Sequence, residues 1–106
     1  MKAYIIKFNT HAPEWDSKTV GIVCLSEATA RAECHRLTAK MIVEEYKHDT
    51  TFFEELLELH GSKLSFCSFS KLSKNEKVNI LAQIPEGQLA ERFGQPYNYE
   101  EAEVIP

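Results

Sequence analysis

Residues 26–48 read SEATARAECHRLTAKMIVEEYKH, the one long stretch of this chain with a clear helical period, and its faces decide the fold. At about 100° per residue, Ala30, Cys34, Leu37 and Met41 fall on one narrow face with the spacing of a buried stripe. That face is expected to lie on a sheet. Opposite it runs a line of smaller apolar side chains, Ala28, Ala32, Ala39, Val43 and Tyr46, with His35 and Ile42 at its edge. Charged flanks separate the two, Glu27, Arg31 and Glu45 on one side and Glu33, Arg36, Lys40, Glu44 and Lys47 on the other. A helix apolar on two faces is sandwiched between layers or keeps one face for a partner, which includes self-association through this second face. Ser26 is placed to cap the first turn, Glu27 suits the positive end of the helix dipole, and Lys47 and His48 suit the other end.

Working outward, AYIIKF at residues 3–8 alternates as a strand, and the β-branched run from Thr19 to Leu25 reads as a second strand paired with it in a hairpin. The connection between them contains Pro13 and Trp15, the sole tryptophan, flanked by Glu14 and Asp16. A tryptophan in such a loop either caps the core or serves as a binding hot spot. Past the long helix, HDTTFFEELLELHG predicts a second helix, with Thr51 and Glu54 as a capping box and Gly61 as the stop. Its apolar arc of Phe52, Phe53, Leu56, Leu57, Leu59 and His60 opposes an acidic ridge of Glu54, Glu55 and Glu58.

KLSFCSFS at 63–70 reads as a third strand. For KVNILAQI at 77–84 two templates compete: Val78, Ile80, Ala82 and Ile84 alternate as in a strand, whereas Ser73 and Glu76 would cap a helix. The complete alternation, ended by Pro85, favours the strand. EGQLAERF then predicts a short helix between Pro85 and Gly94, and QPYNYEEAEVIP an acidic tail that extends as an arm or adds an edge strand. The expected fold is α+β: a mostly antiparallel sheet packed on the long central helix, in the order β-β-α-α-β-β, then a short helix and the extended arm 95–106.

The chain has 106 residues, 43% of them hydrophobic and 26% charged, which suits a single globular domain over 1–106 with one core. At this length roughly two-thirds of the unfolded surface is buried on folding, so no metal or disulfide staple is required. Cys24, Cys34 and Cys67 form no close pair, which fits reduced thiols in a cytoplasmic compartment. The apolar run in MKAYIIKFNTH is too short for a signal peptide, and no membrane partner is expected. The net charge of −4 argues against a general nucleic-acid binder. It is unevenly placed: residues 49–60 carry −4, residues 61–77 carry +3 and residues 78–106 carry −4.

Metal binding draws on close ligand pairs such as C-x2-C, and none is present; Cys34 sits on the core stripe and acts there as a small hydrophobe. No turn motif presents Ser65, Cys67 or Ser68 as a nucleophile, and His60 fits a helix end better than a general base. The adjacent acids Glu44 and Glu45, and Glu54 and Glu55, diverge on their helices. No catalytic residue, cofactor or metal is therefore assigned. Lys63, Lys71, Lys74 and Lys77, interleaved with Phe66 and Phe69, are the nucleic-acid candidate, since lysines and aromatics on a strand could track a single strand. Solvated lysines around core phenylalanines are the plainer reading.

What remains is a non-enzymatic protein-binding module. Its candidate residues are Trp15, Glu54, Glu55, Glu58, Tyr97 and Tyr99, and its expected partner is a protein with a basic surface. The opening MKAYIIKFN, a second strand and a helix starting SEATARAE make residues 1–47 similar to the front half of small accessory proteins of phages and mobile elements. That resemblance implies a small accessory protein of the kind that inhibits a host protein, such as a defence nuclease. It carries no functional residues across.

Overall fold

The computed structural model describes residues 2–8, 18–46, 49–61 and 63–103. They divide between two compact units, Met1–Thr38 with Gln95–Pro106, and Ala39–Gly94. The class is α+β, with an antiparallel three-stranded sheet and five helices among the described residues.

The first unit is built on strands β1 (Lys2–Phe8), β2 (Lys18–Cys24) and β3 (Tyr97–Glu103), in the order β2-β1-β3. The hairpin of β1 and β2 is formed as its alternation predicts. Its register runs Tyr4↔Cys24 and Ile5↔Val23, then shifts to Lys7↔Thr19 and Phe8↔Lys18. The shift leaves extra residues on β2, and Gly21 there has a φ of 86°, a conformation that costs a side-chain-bearing residue strain. β3 pairs with β1 without interruption from Lys2↔Glu103 to Phe8↔Tyr97. The acidic tail thus takes the edge-strand alternative. Lys2 pairs with Glu101 at 2.7 Å and Lys7 pairs with Glu100, so the basic residues of the central strand receive the carboxylates of its neighbour.

Helix α1 (Glu27–Glu45) follows β2 directly, and the Ser26 hydroxyl accepts from the Thr29 amide at 3.1 Å as its cap. Ala30, Cys34 and Leu37 pack with Ile6 and Cys24 into one core, edged by Tyr4, Ile22, Tyr97 and Tyr99. The buried face then changes. In the second half of the helix Ala39, Ile42 and Val43 are the buried residues, and they belong to the other cluster. The two apolar faces read from the sequence are real, but each is used over half the helix. Met41 accordingly leaves the first stripe and is half-exposed, while Ala28 and Ala32 of the second face are exposed. Ala39 and Val43 are covered by the chain's own core, so the continuous second face expected for self-association does not exist. Thr38, where the change occurs, is buried with its hydroxyl donating to the Cys34 carbonyl at 2.9 Å.

The second unit comprises the end of α1 with α2 (Thr50–His60), α3 (Phe66–Ser70), α4 (Lys74–Ala82) and α5 (Glu86–Phe93). Its core joins Ala39, Ile42 and Val43 to Phe53, Leu56, Leu57, Phe69, Val78, Leu81, Ile84 and Leu89. Where composition suggested one core, the buried residues form two clusters, each within its own unit.

Two expected strands are helices. In 63–70 the Ser65 hydroxyl accepts from the Ser68 amide at 3.2 Å, and Phe66 and Phe69, three apart, both turn inward. In 77–84 the capping box prevails over the alternation. Ser73 accepts from the Glu76 amide at 3.2 Å and its hydroxyl donates to the Glu76 carboxylate at 2.9 Å. The buried residues are Val78, Leu81 and Ile84, a period near three that a strand would have split between faces. The order is therefore β-β-α-α-α-α-α-β, and β-β-α-α-β-β is corrected.

The cap of α2 also differs from the predicted Thr51 box. Asp49 precedes the helix and accepts from the Phe52 amide at 3.1 Å, while Gly61 closes it in the left-handed conformation as expected. Asp49→Ala is expected to cost about 1 kcal/mol, and Asp49→Asn to recover most of it, because Asn caps as well as Asp. Thermal melts of the two variants measure this.

Candidate protein-binding surface

Helix α2 positions the acidic ridge. Phe53, Leu56 and Leu57 are buried on one side, which turns Glu54, Glu55 and Glu58 outward over an arc of about 100°. All three are exposed. Because both ends of the helix are capped and one side is anchored in the core, the ridge is a fixed array of negative charge. Arg92 of α5 reaches its margin, with the guanidinium 3.5 Å from the Glu55 carboxylate. An exposed pair of that length contributes little stability. Its effect is to partly neutralise one end of the array.

Upstream of the ridge lies an open cleft of about 560 Å³ lined by Glu45, Tyr46, Asp49, Thr50 and Thr51. Thr51 stands on the same arc of α2 as Glu54, Glu55 and Glu58, so Glu45 and Asp49 extend the acidic surface past the helix start. Tyr46 forms one wall; its ring meets Phe93 edge-on at 5.2 Å and Phe52 at 5.8 Å. Sequence reading missed Glu45, Asp49 and Arg92 as neighbours of the ridge. The misplaced cap hid Asp49, and nothing in the local pattern links Arg92 to Glu55 across 37 positions.

The other candidates are placed as follows. Trp15 lies outside the described residues. Tyr97 and Tyr99 are not on a free arm: they are half-buried on β3, with Tyr97 5.2 Å from Phe8 and Tyr99 5.7 Å from Tyr4. The Tyr99 hydroxyl donates to the Glu27 carboxylate at 2.8 Å, and this hydrogen bond raises its pKa above the ordinary tyrosine value. Both tyrosines belong to the packing of the sheet.

Among the lysines, Lys63 and Lys71 are exposed. Lys74 pairs with Glu44, and its hydrogen bond lowers the Glu44 pKa. The Lys77 ammonium stands 5.9 Å from the centre of the Phe69 ring. Phe69 is buried and Phe66 half-buried, both in the helical core, so the strand of alternating lysines and stacking aromatics is not formed.

Cys24 and Cys34 share the sheet core, Cys67 is exposed, and among the described residues no three His, Cys, Asp or Glu side chains gather as metal ligands. His60 is held through Nε2, 2.7 Å from the Gln83 carboxamide oxygen, and Ser65 serves as the α3 cap. Among the described residues no helix is long and apolar enough to cross a membrane. Comparison with protein-family models, curated proteins and solved structures finds no match to this chain.

Proposed function

We propose that this chain is a non-enzymatic, cytoplasmic protein-binding module that docks the Glu54, Glu55 and Glu58 ridge on a basic surface of a protein partner. The observation that carries the reading is the construction of α2, which holds three exposed carboxylates on one arc while its opposite side is fixed in the core. The backbone of such an array needs no ordering on binding, so the conformational entropy lost is mainly that of the three glutamate side chains. Its main contribution is to steer encounter and set register, with Glu45 and Asp49 lengthening the track.

Basic surfaces that accept nucleic acid offer rows of cations suited to a row of carboxylates. An inhibitor that occupies such a surface on a host protein, for example a defence nuclease, fits this chemistry. That the chain is an accessory protein of a phage or mobile element, as the resemblance of residues 1–47 implies, is part of the same proposal. No cofactor takes part.

The test is quantitative capture from lysate of the source cell on the immobilised chain. The wild type is compared with Glu54→Lys/Glu55→Lys/Glu58→Lys and with Lys63→Glu/Lys71→Glu. The ridge variant is expected to lose at least about tenfold in recovered partner with its circular dichroism unchanged, and the lysine variant to retain it. Unchanged recovery by the ridge variant, or loss confined to the lysine variant, refutes the reading; the second outcome would favour nucleic-acid association through Lys63 and Lys71.

A further inference from the structure

We propose that the aromatic-walled cleft between the end of α1 and the start of α2 takes an arginine side chain of the protein partner. This rests on the docking reading above and adds to it the residue that the partner must supply. The cleft, about 560 Å³, is lined by Glu45, Tyr46, Asp49, Thr50 and Thr51, all of them exposed. That is the size of a small-ligand site and far more than a bare metal ion would fill.

Charge sets the sign of the occupant. The carbonyl end of α1 and the amide end of α2 meet here, and their partial charges, each about half an elementary charge, are opposite and largely cancel. Two carboxylates remain. Asp49 engages only Oδ1, which accepts from the Phe52 amide at 3.1 Å, and among the described residues no hydrogen bond or ion pair engages the Glu45 carboxylate. Glu44, one position earlier, is by contrast already matched by Lys74. The cleft is therefore complementary to a cation.

Tyr46 decides between the basic side chains. It is 40% exposed, and its ring is backed by those of the half-buried Phe93 at 5.2 Å and Phe52 at 5.8 Å. A ring held in this way attracts a cation to its face. A planar, weakly hydrated guanidinium stacks there while its N–H fork reaches flanking carboxylates, whereas the lysine ammonium is a strongly hydrated point charge.

The probe is Nα-acetyl-argininamide, titrated into the intact chain and followed by amide chemical shifts. Saturable shifts at Tyr46, Thr50 and Thr51 are expected, with a dissociation constant on the order of 1–10 mM. The neutral citrulline analogue should bind at least about tenfold more weakly, and the lysine analogue at least about threefold. Glu45→Gln/Asp49→Asn should weaken the arginine analogue at least about fivefold and keep the fold, because Asn caps as well as Asp. Tyr46→Leu should bring the arginine analogue down to the level of lysine. Glu54→Gln/Glu55→Gln/Glu58→Gln should leave the titration within about twofold, so the cleft and the ridge stand or fall separately. No saturation up to about 50 mM, a citrulline or lysine analogue that binds as tightly as arginine, or binding unaffected by Glu45→Gln/Asp49→Asn would overturn the proposal.

Discussion

Replacing Phe69 by alanine is expected to destabilise the Ala39–Gly94 unit by about 4 kcal/mol, the middle of the range for removing a buried aromatic. Phe69 is 1% exposed, its ring is 5.4 Å from that of Phe53, and it lies in the same core as Leu81, Ile84 and Leu89. The local consequence is larger than the lost area suggests. Helix α3 has five residues, too few to persist on helix propensity, and its Ser65 cap contributes only about 1 kcal/mol. Phe69 is the fully buried anchor that holds it. Urea unfolding should show the loss in full for Phe69→Ala and a smaller loss, about 1.5 kcal/mol, for Phe69→Leu. A cost below about 1 kcal/mol for the alanine variant would mean that the ring is not packed as described.

Ile6→Ala is expected to cost about 3 kcal/mol in the sheet unit. Ile6 is fully buried on the central strand, in register with Tyr99 of β3 and clustered with Cys24, Ala30, Cys34 and Leu37. Removing its outer carbons opens a void where all three strands meet the helix. Hydrogen exchange gives the sharper readout, because each unit has its own core. Amides of β1, β2 and β3 should lose protection in Ile6→Ala while those of α2, α4 and α5 keep theirs, and Phe69→Ala should do the reverse. Simultaneous loss of protection across both units in either variant would contradict two separate cores.

The elements with a single dominant signal were legible in the sequence. Tyr4, Ile6 and Phe8 alternate without competition, Ser26 caps a long periodic run, and Pro85 and Gly94 bracket Leu89 and Phe93. The failures lie where two periods fit one segment. Residues 78–84 satisfy both alternation and a three-residue spacing, and the spacing wins because Leu81 needs burial and Ser73 with Glu76 nucleates a helix. In 63–70 the serines obscured the pair Phe66 and Phe69, and the Ser65 cap is worth less than the burial of one phenylalanine. The change of buried face along α1 was half visible. Both stripes could be drawn, yet nothing local says that Ala39 and Val43 serve a different core from Ala30 and Leu37. That depends on residues far along the chain.

The candidate surface was legible as a ridge and not as a neighbourhood. Amphipathic spacing alone places Glu54, Glu55 and Glu58 together, whereas Arg92 joins them only through tertiary packing. The place of Tyr97 and Tyr99 in the sheet was only one of two alternatives for the converse reason. An acidic tail looks solvated until Lys2 and Lys7 on the neighbouring strand are seen to receive its carboxylates.

The most direct test of ridge docking is the association rate constant with the captured partner, measured from about 50 mM to about 500 mM salt, for the wild type and for Glu54→Lys/Glu55→Lys/Glu58→Lys. Steering by the ridge predicts a wild-type rate that falls at least about tenfold across this range, and a variant rate that is slow throughout. A wild-type rate independent of salt, or a variant as fast as the wild type at low salt, would contradict it.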